Sequence, residues 1–232
     1  MTNVDGCEQD RDQAIRLNDQ MTQTVAKVCK SAGAFLIFFS TDYVFDGTKK
    51  GEYREDDPIH PLNVYGESKA RGEQQVREHA GAYAIFRVSW LYGVHGKSFP
   101  RTILEKAKQQ SVFEVVNDQI GRPTFTKDLA AAFRDLLVNG SDSLKKMKGQ
   151  IFHLANAGAC SWAEFAAAIL SHAGYDKVEV KPITSEQLTR PAKRPKNSVL
   201  NLSKAERVLG LKLRPWQEAM VEFINEFAII RR

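Results

Sequence analysis

The sequence predicts an α/β fold, a doubly wound parallel sheet followed by a smaller, mostly helical lobe. Two wholly apolar runs, "AFLIFFS" at 34–40 and "AYAIFRVSW" at 82–90, read as strands covered on both faces. A helical stretch over 65–79 separates them, which makes a strand–helix–strand crossover unit. Beyond about residue 92 the pattern turns to short helices with capping signals. The expected division is therefore 1–92 and 93–232, with some later segments returning to the sheet.

Each element has its own signal. Over 8–32, Ile15, Leu17, Met21, Val25 and Val28 recur toward one side of a helix, with Gly33 near its C-terminal cap. A long loop with Pro58 and Pro61 leads into the 65–79 helix. Then "SFPRTILEKAKQQ" reads as a helix, "VFEVV" as a strand and "TKDLAAAFRDLLVNG" as an amphipathic helix that Gly140 ends. Residues 140–150, rich in Lys and Ser, read as a surface loop or frayed helix end. Ser161 with Glu164 and Ser203 with Glu206 read as capping boxes, and Pro215 suits a first helical turn.

Composition narrows the function classes. Of 232 residues, 43% are hydrophobic and 26% charged, as in an ordinary globular protein, and no apolar run approaches a membrane span. The polar start "MTNVDGCEQDRDQ" is no signal peptide, and Cys7, Cys29 and Cys160 form no CxxC pair. Reduced thiols in a cytoplasmic protein are the expectation. The five histidines lack metal-ligand spacing, so no metal is expected. The net charge of +5 is densest in "RPAKRPK" at 190–196. That loop has no aromatic residue to stack on bases and two prolines that bar a groove-entering helix. It reads as a solvated basic loop or a clamp for a small ligand's phosphates, not a nucleic-acid site.

The chemistry begins with "NVYGESK", 63–69. Tyr65 and Lys69 stand four apart and share a helix face. A free phenol is too weak an acid for work at neutral pH, and a nearby ammonium is expected to lower its pKa. The pattern alone also fits two ordinary exposed helix residues. What gives it weight is "STDYVFDG" at the end of the first strand, where ligands bind in open α/β sheets.

Five segments in order, "STDYVFDG", "PLNVYGESKARGE", "FRVSWLYG", "VNDQIGRPT" and "RPKNSVLN", resemble the extended short-chain dehydrogenases/reductases, nearest their nucleotide-sugar reductases. The resemblance spans about residues 2–226 and implies part of a Rossmann-like sheet. It also implies NADPH or NADH as cofactor, a nucleotide-sugar substrate, and reduction of a sugar keto group at C4. Tyr65 matches the proton donor, and Lys69 matches the lysine that binds the nicotinamide ribose. Thr41 matches the hydroxyl that hydrogen-bonds the carbonyl oxygen. Asp42 and Trp90 match substrate contacts, Thr2 and Phe39 line the cofactor, and Arg194 and Asn197 hold the nucleotide diphosphate. Residue by residue, plainer readings stay open: Thr41 as a strand-end cap, Asp42 as a turn former, Trp90 as core, "NDQIGRPT" as a structural bend.

The family's glycine-rich turn, which presents a helix N-terminus to the cofactor pyrophosphate, is absent from this sequence. A fragment, or a second chain supplying that half, is one expectation, with poor cofactor affinity, little activity of its own and an open apolar strand edge; a homodimer is another. The alternatives to a reductase are a non-catalytic subunit like the methionine adenosyltransferase beta subunit and a nucleotide-sugar epimerase or dehydratase. The tryptophan of "SWLYG" favours the reductase.

Overall fold

The computed structural model describes residues 1–138 and 140–230. It opens with α1 (Val4–Gln9), α2 (Arg11–Ile15), a π-helical turn over Arg16–Gln20, and α3 (Met21–Ser31). Strand β1 (Phe35–Thr41), α4 (Val64–His79) and β2 (Ala82–Val88) form the crossover unit. Next come β3 (Leu91–Tyr92), α5 (Phe99–Lys106), β4 (Val112–Val116), β5 (Ile120–Gly121), β6 (Thr124–Phe125) and α6 (Thr126–Val138). The chain continues with α7 (Ser141–Met147), β7 (Gln150–His153), β8 (Cys160–Ser161) and α8 (Trp162–His172). It closes with β9 (Glu179–Ile183), α9 (Ser203–Leu209) and α10 (Trp216–Ile230).

Strands β1, β2 and β7 make a parallel sheet in the order β1-β2-β7. The central strand β2 is buried from Ala84 to Val88. β1 differs from the expected doubly covered strand: it is only half-buried, with Phe39 43% exposed. It pairs on one side alone among the described residues, so an apolar strand lies at an edge.

The first helical stretch departs from the sequence pattern in two ways. It breaks at Asp10, whose carboxylate caps α2 by accepting from the Gln13 amide. Its apolar side, Leu17, Met21, Val25 and Val28, faces solvent, Val28 being 61% exposed. α4 packs on the opposite, small and polar side, where a Cβ on Gly72 would lie 2.5 Å from the Asn18 carbonyl oxygen. Hydrophobic spacing identifies which residues share a side, and close backbone approach decides which side receives the neighbour. Two further expectations are corrected. Residues 141–147 form an ordered helix because Met147 is buried in the core. Ser203 is the first residue of α9 rather than a cap, and Asn201 accepts its amide instead. The Ser161–Glu164 capping box is present as expected.

Apolar side chains gather under the sheet around Phe86, Phe152 and Met147, and again around Tyr92, Phe125, Phe165 and Phe223. One charged pair sits inside. Arg87 on β2 is 1% exposed and donates from Nε and Nη2 to both oxygens of Glu73 on α4, each at 2.8 Å. Its Nη1 reaches the Glu55 carbonyl at 3.3 Å, and the guanidinium lies 5.1 Å from the Phe45 ring centroid. Burial and the Arg87 charge hold neighbouring His153 well below the usual histidine range, so its ring is neutral. Removing one partner of such a pair strands a buried charge, typically at about 3–5 kcal/mol. Glu73→Ala should lower the urea unfolding free energy by about that much, and an unchanged midpoint would show that water replaces the carboxylate freely.

Candidate active site

Thr41 and Val88 lie opposite one another at the C-terminal ends of β1 and β2. Thr41 Oγ1 accepts the Tyr43 amide at 3.2 Å and donates to Asp42 Oδ1 at 3.0 Å, so it does cap the turn after the strand. The same hydroxyl is near enough to the Tyr65 phenol to favour its ionised form, but no hydrogen bond between the two is seen among the described residues. The helix that carries Tyr65 starts at Asn63, whose side chain accepts the Gly66 amide at 2.8 Å and donates to the Lys193 carbonyl at 2.8 Å. Gly66 is required here, since a Cβ would fall 2.1 Å from the Tyr43 carbonyl oxygen. This close approach seats the Tyr65 ring edge-on to Tyr43, with centroids 5.9 Å apart.

Lys69 follows one turn later. Its Nζ lies 4.1 Å from the Phe38 ring centroid, and no hydrogen bond to it is seen among the described residues. Burial pushes its pKa down to about 8. The expected lowering of the Tyr65 pKa is not what the structure shows. Burial pushes the phenol up to about 12, partly opposed by nearby Thr41. In the free protein Tyr65 is therefore a protonated phenol. Asp42 is 2% exposed, its Oδ2 has no partner, and burial pushes its pKa up to about 7, partly opposed by Ser198 and Thr41.

Trp90 lies two residues beyond Val88 with φ +47°, the one non-glycine positive φ among the described residues. A left-handed L-residue costs about 1–2 kcal/mol. Its indole stacks on that of Trp162 with centroids 3.6 Å apart and planes 8° from parallel, a contact of the kind worth about 0.5–1.5 kcal/mol. The other face lies against Gly121, where a Cβ would come 2.4 Å from Cε2. The "NDQIGRPT" segment is thus a built support. Buried Arg122 donates from Nε to the Leu200 carbonyl and from Nη1 to the Gly158 carbonyl, each at 2.8 Å, and pairs with Glu52.

The remaining predicted residues are dispersed. Thr2 is exposed, and Phe39 packs edge-on to Phe133 on the face of β1 away from α4. Arg194 is held by both oxygens of Asp5 at 2.9 and 2.8 Å. Asn197 donates to the Lys49 and Gly51 carbonyls at 2.8 and 2.6 Å. Arg194 and Lys196 of the basic loop are paired, whereas no side-chain hydrogen bond or ion pair is seen for exposed Arg190 or Lys193 among the described residues. Of these two, Arg190 stands between a cavity of about 390 Å³, lined by Phe99, Phe113 and Trp162, and one of about 800 Å³ with Lys193 and Lys196. Sequence reasoning held a phosphate clamp at 190–196 open without singling out Arg190, and missed Trp162, orphaned Ser40 and buried Asn18, which bonds Ser68 at 2.9 Å from the π-helical turn. The adjacent polar pair Asn18–Asp19 inside an apolar helix pattern was the available signal for the last.

A parallel α/β sheet whose strand-end threonine meets a Tyr-x-x-x-Lys helix defines the short-chain dehydrogenase/reductase class. The chain belongs, within it, to the family described as RmlD substrate binding domain, which matches residues 1–229. It is 38% identical over 225 residues to the spore coat polysaccharide biosynthesis protein SpsK of Bacillus subtilis, covering 97% of this chain and 76% of that protein. It is 37% identical over 227 residues to a dTDP-4-dehydrorhamnose reductase of Aggregatibacter actinomycetemcomitans, covering 94% and 76%. Among solved structures, a dTDP-4-dehydrorhamnose reductase of Bacillus anthracis in complex with NADP superposes with TM-score 0.89 at 37% identity, covering 97% of this chain and 78% of that one.

Asp42 yields a test of the site's electrostatics. A carboxyl with a raised folded-state pKa stabilises the fold fully below its unfolded value near 4, and that contribution is lost as pH rises through about 7. Asp42→Asn should therefore remove a loss of a few kcal/mol in unfolding free energy between pH 4 and pH 8, at about 1.4 kcal/mol per pH unit. Parallel urea-stability curves for the two proteins would show that Asp42 is ionised throughout.

Proposed function

We propose that the chain acts as a dTDP-4-dehydrorhamnose reductase, reducing the C4 keto group of dTDP-4-dehydro-L-rhamnose with NADPH or NADH. The observation that carries this is the convergence of Tyr65, Lys69 and Thr41 at the strand ends, on a chain 37% identical to a reductase of that name over nearly its whole length. The complete triad also disfavours a non-catalytic subunit.

The strand-end surface suits the nicotinamide end of the cofactor. Ser40 Oγ, on the strand face that α4 covers, is buried without a partner, and the Lys69 ammonium is free to bond ribose hydroxyls. NADPH, when bound, supplies hydride to the carbonyl carbon. Tyr65 donates its phenolic proton to the carbonyl oxygen, and Thr41 Oγ1 hydrogen-bonds that oxygen as charge develops. A pKa of about 12 keeps the proton on Tyr65 until that moment. The Lys69 charge, one helical turn away, eases its departure.

Arg190, between the two cavities, takes the diphosphate, because Arg194 is committed to Asp5. The aromatic-lined smaller cavity receives the base. The orphaned Asp42 Oδ2 accepts a sugar hydroxyl. Trp90 meets the sugar with its edge, both faces being covered.

The test is NADPH oxidation followed by absorbance with dTDP-4-dehydro-L-rhamnose. Tyr65→Phe should lower kcat by about 10²–10⁴-fold while leaving dTDP binding within twofold, the range usual for general acid catalysis. A Tyr65→Phe protein with near-normal kcat would remove Tyr65 from the chemistry.

A further inference from the structure

We propose that Trp162 is a positioning residue for the sugar, acting through Trp90 by fixing which edge of that indole faces the reacting end of the substrate. The inference rests on the reductase reading above and adds a residue that the motif segments do not contain. Trp90 leaves the sheet two positions after the residue opposite Thr41, so its backbone lies just beyond the catalytic strand ends. Its backbone is left-handed, a conformation that a tryptophan does not hold unaided. One indole face is closed by Gly121 and the other by Trp162, which leaves only an edge to meet a ligand.

Trp162 is the fixed member of the pair. It is the first residue of α8, directly after Ser161, whose amide and hydroxyl both join the capping box with Glu164. Ser161 Oγ also donates to Asn117 Oδ1 at 2.8 Å, which ties the helix start to the segment that supports Gly121. Phe99 meets the Trp162 ring at 60° with centroids 4.6 Å apart. Trp162 also lines the 390 Å³ cavity that Arg190 borders. One indole pair thus spans from the cavity assigned to the base toward the catalytic end. An unstacked Trp90 would be free to turn and blur the sugar's placement, an effect on the sugar beyond what the lost Trp162 ring costs the base.

The experiment compares the affinities of wild type, Trp162→Leu and Trp162→Phe for dTDP-L-rhamnose and for dTDP, by calorimetry. Wild type should bind the sugar nucleotide more tightly than dTDP. Trp162→Leu removes a wall of the base cavity as well as the stack, so both affinities should fall, but that for dTDP-L-rhamnose about tenfold more than that for dTDP; Trp162→Phe, which restores a ring to stack, should recover most of the ratio. Tryptophan fluorescence of the wild type should shift on adding dTDP, whose base meets Trp162, and shift further on adding dTDP-L-rhamnose, whose sugar meets Trp90, a readout that holds even if Trp162→Leu fails to fold. A full wild-type ratio in Trp162→Leu, equal losses for both ligands, or identical fluorescence responses to the two would overturn the role of Trp162 alone. Wild-type protein that binds neither ligand would overturn the reductase reading with it.

Discussion

The buried pair of Glu73 and Arg87 is the contact on which the site depends. Tyr65, Lys69 and Glu73 stand at successive four-residue steps of α4 and so share one face. Glu73, held by two 2.8 Å bonds to the central strand, locks that face against the sheet. The helix cannot rotate without breaking an ion pair out of reach of water, so Tyr65 and Lys69 are directed to the strand ends by an interaction one and two turns away. Arg87 reaches further, to the Glu55 carbonyl and over Phe45, and so also anchors the long loop after β1.

Close backbone contacts finish what the ion pair begins. Gly66 against the Tyr43 carbonyl seats the start of α4, and Gly121 against Trp90 closes one face of the indole. Arg122, satisfied by two carbonyls and Glu52, supports the strand from which Gly121 and the 196–198 loop are hung through Ile120. Such polar nodes, fully bonded, give an irregular region a single arrangement where apolar packing alone would allow several.

The site's electrostatics follow from enclosure more than from pairing. Tyr65 keeps its proton and Asp42 gives its own up only near pH 7 because their charged forms are poorly solvated, and Lys69 loses its proton more readily for the same reason. The three groups are thereby set to exchange charge with a ligand instead of with one another. Lys69 rests on the Phe38 ring, and the nearby Glu73 carboxylate, which favours its charged form, is bonded through both oxygens to Arg87.

The α/β class, the crossover unit, and Tyr65, Lys69 and Thr41 as a set were legible in the sequence. Apolar runs, four-residue spacing and short motifs are local, and local patterns are what a sequence displays. Which way the Leu17–Val28 side faces, that Arg194 is spent on Asp5 189 positions away, and that Trp162 covers Trp90 were decided by tertiary contact alone. No periodicity links residue 5 to 194 or 90 to 162, because those meetings depend on how whole elements pack. The Tyr65 pKa belongs with them: spacing put a lysine beside it, and burial, which only the folded chain determines, set its direction.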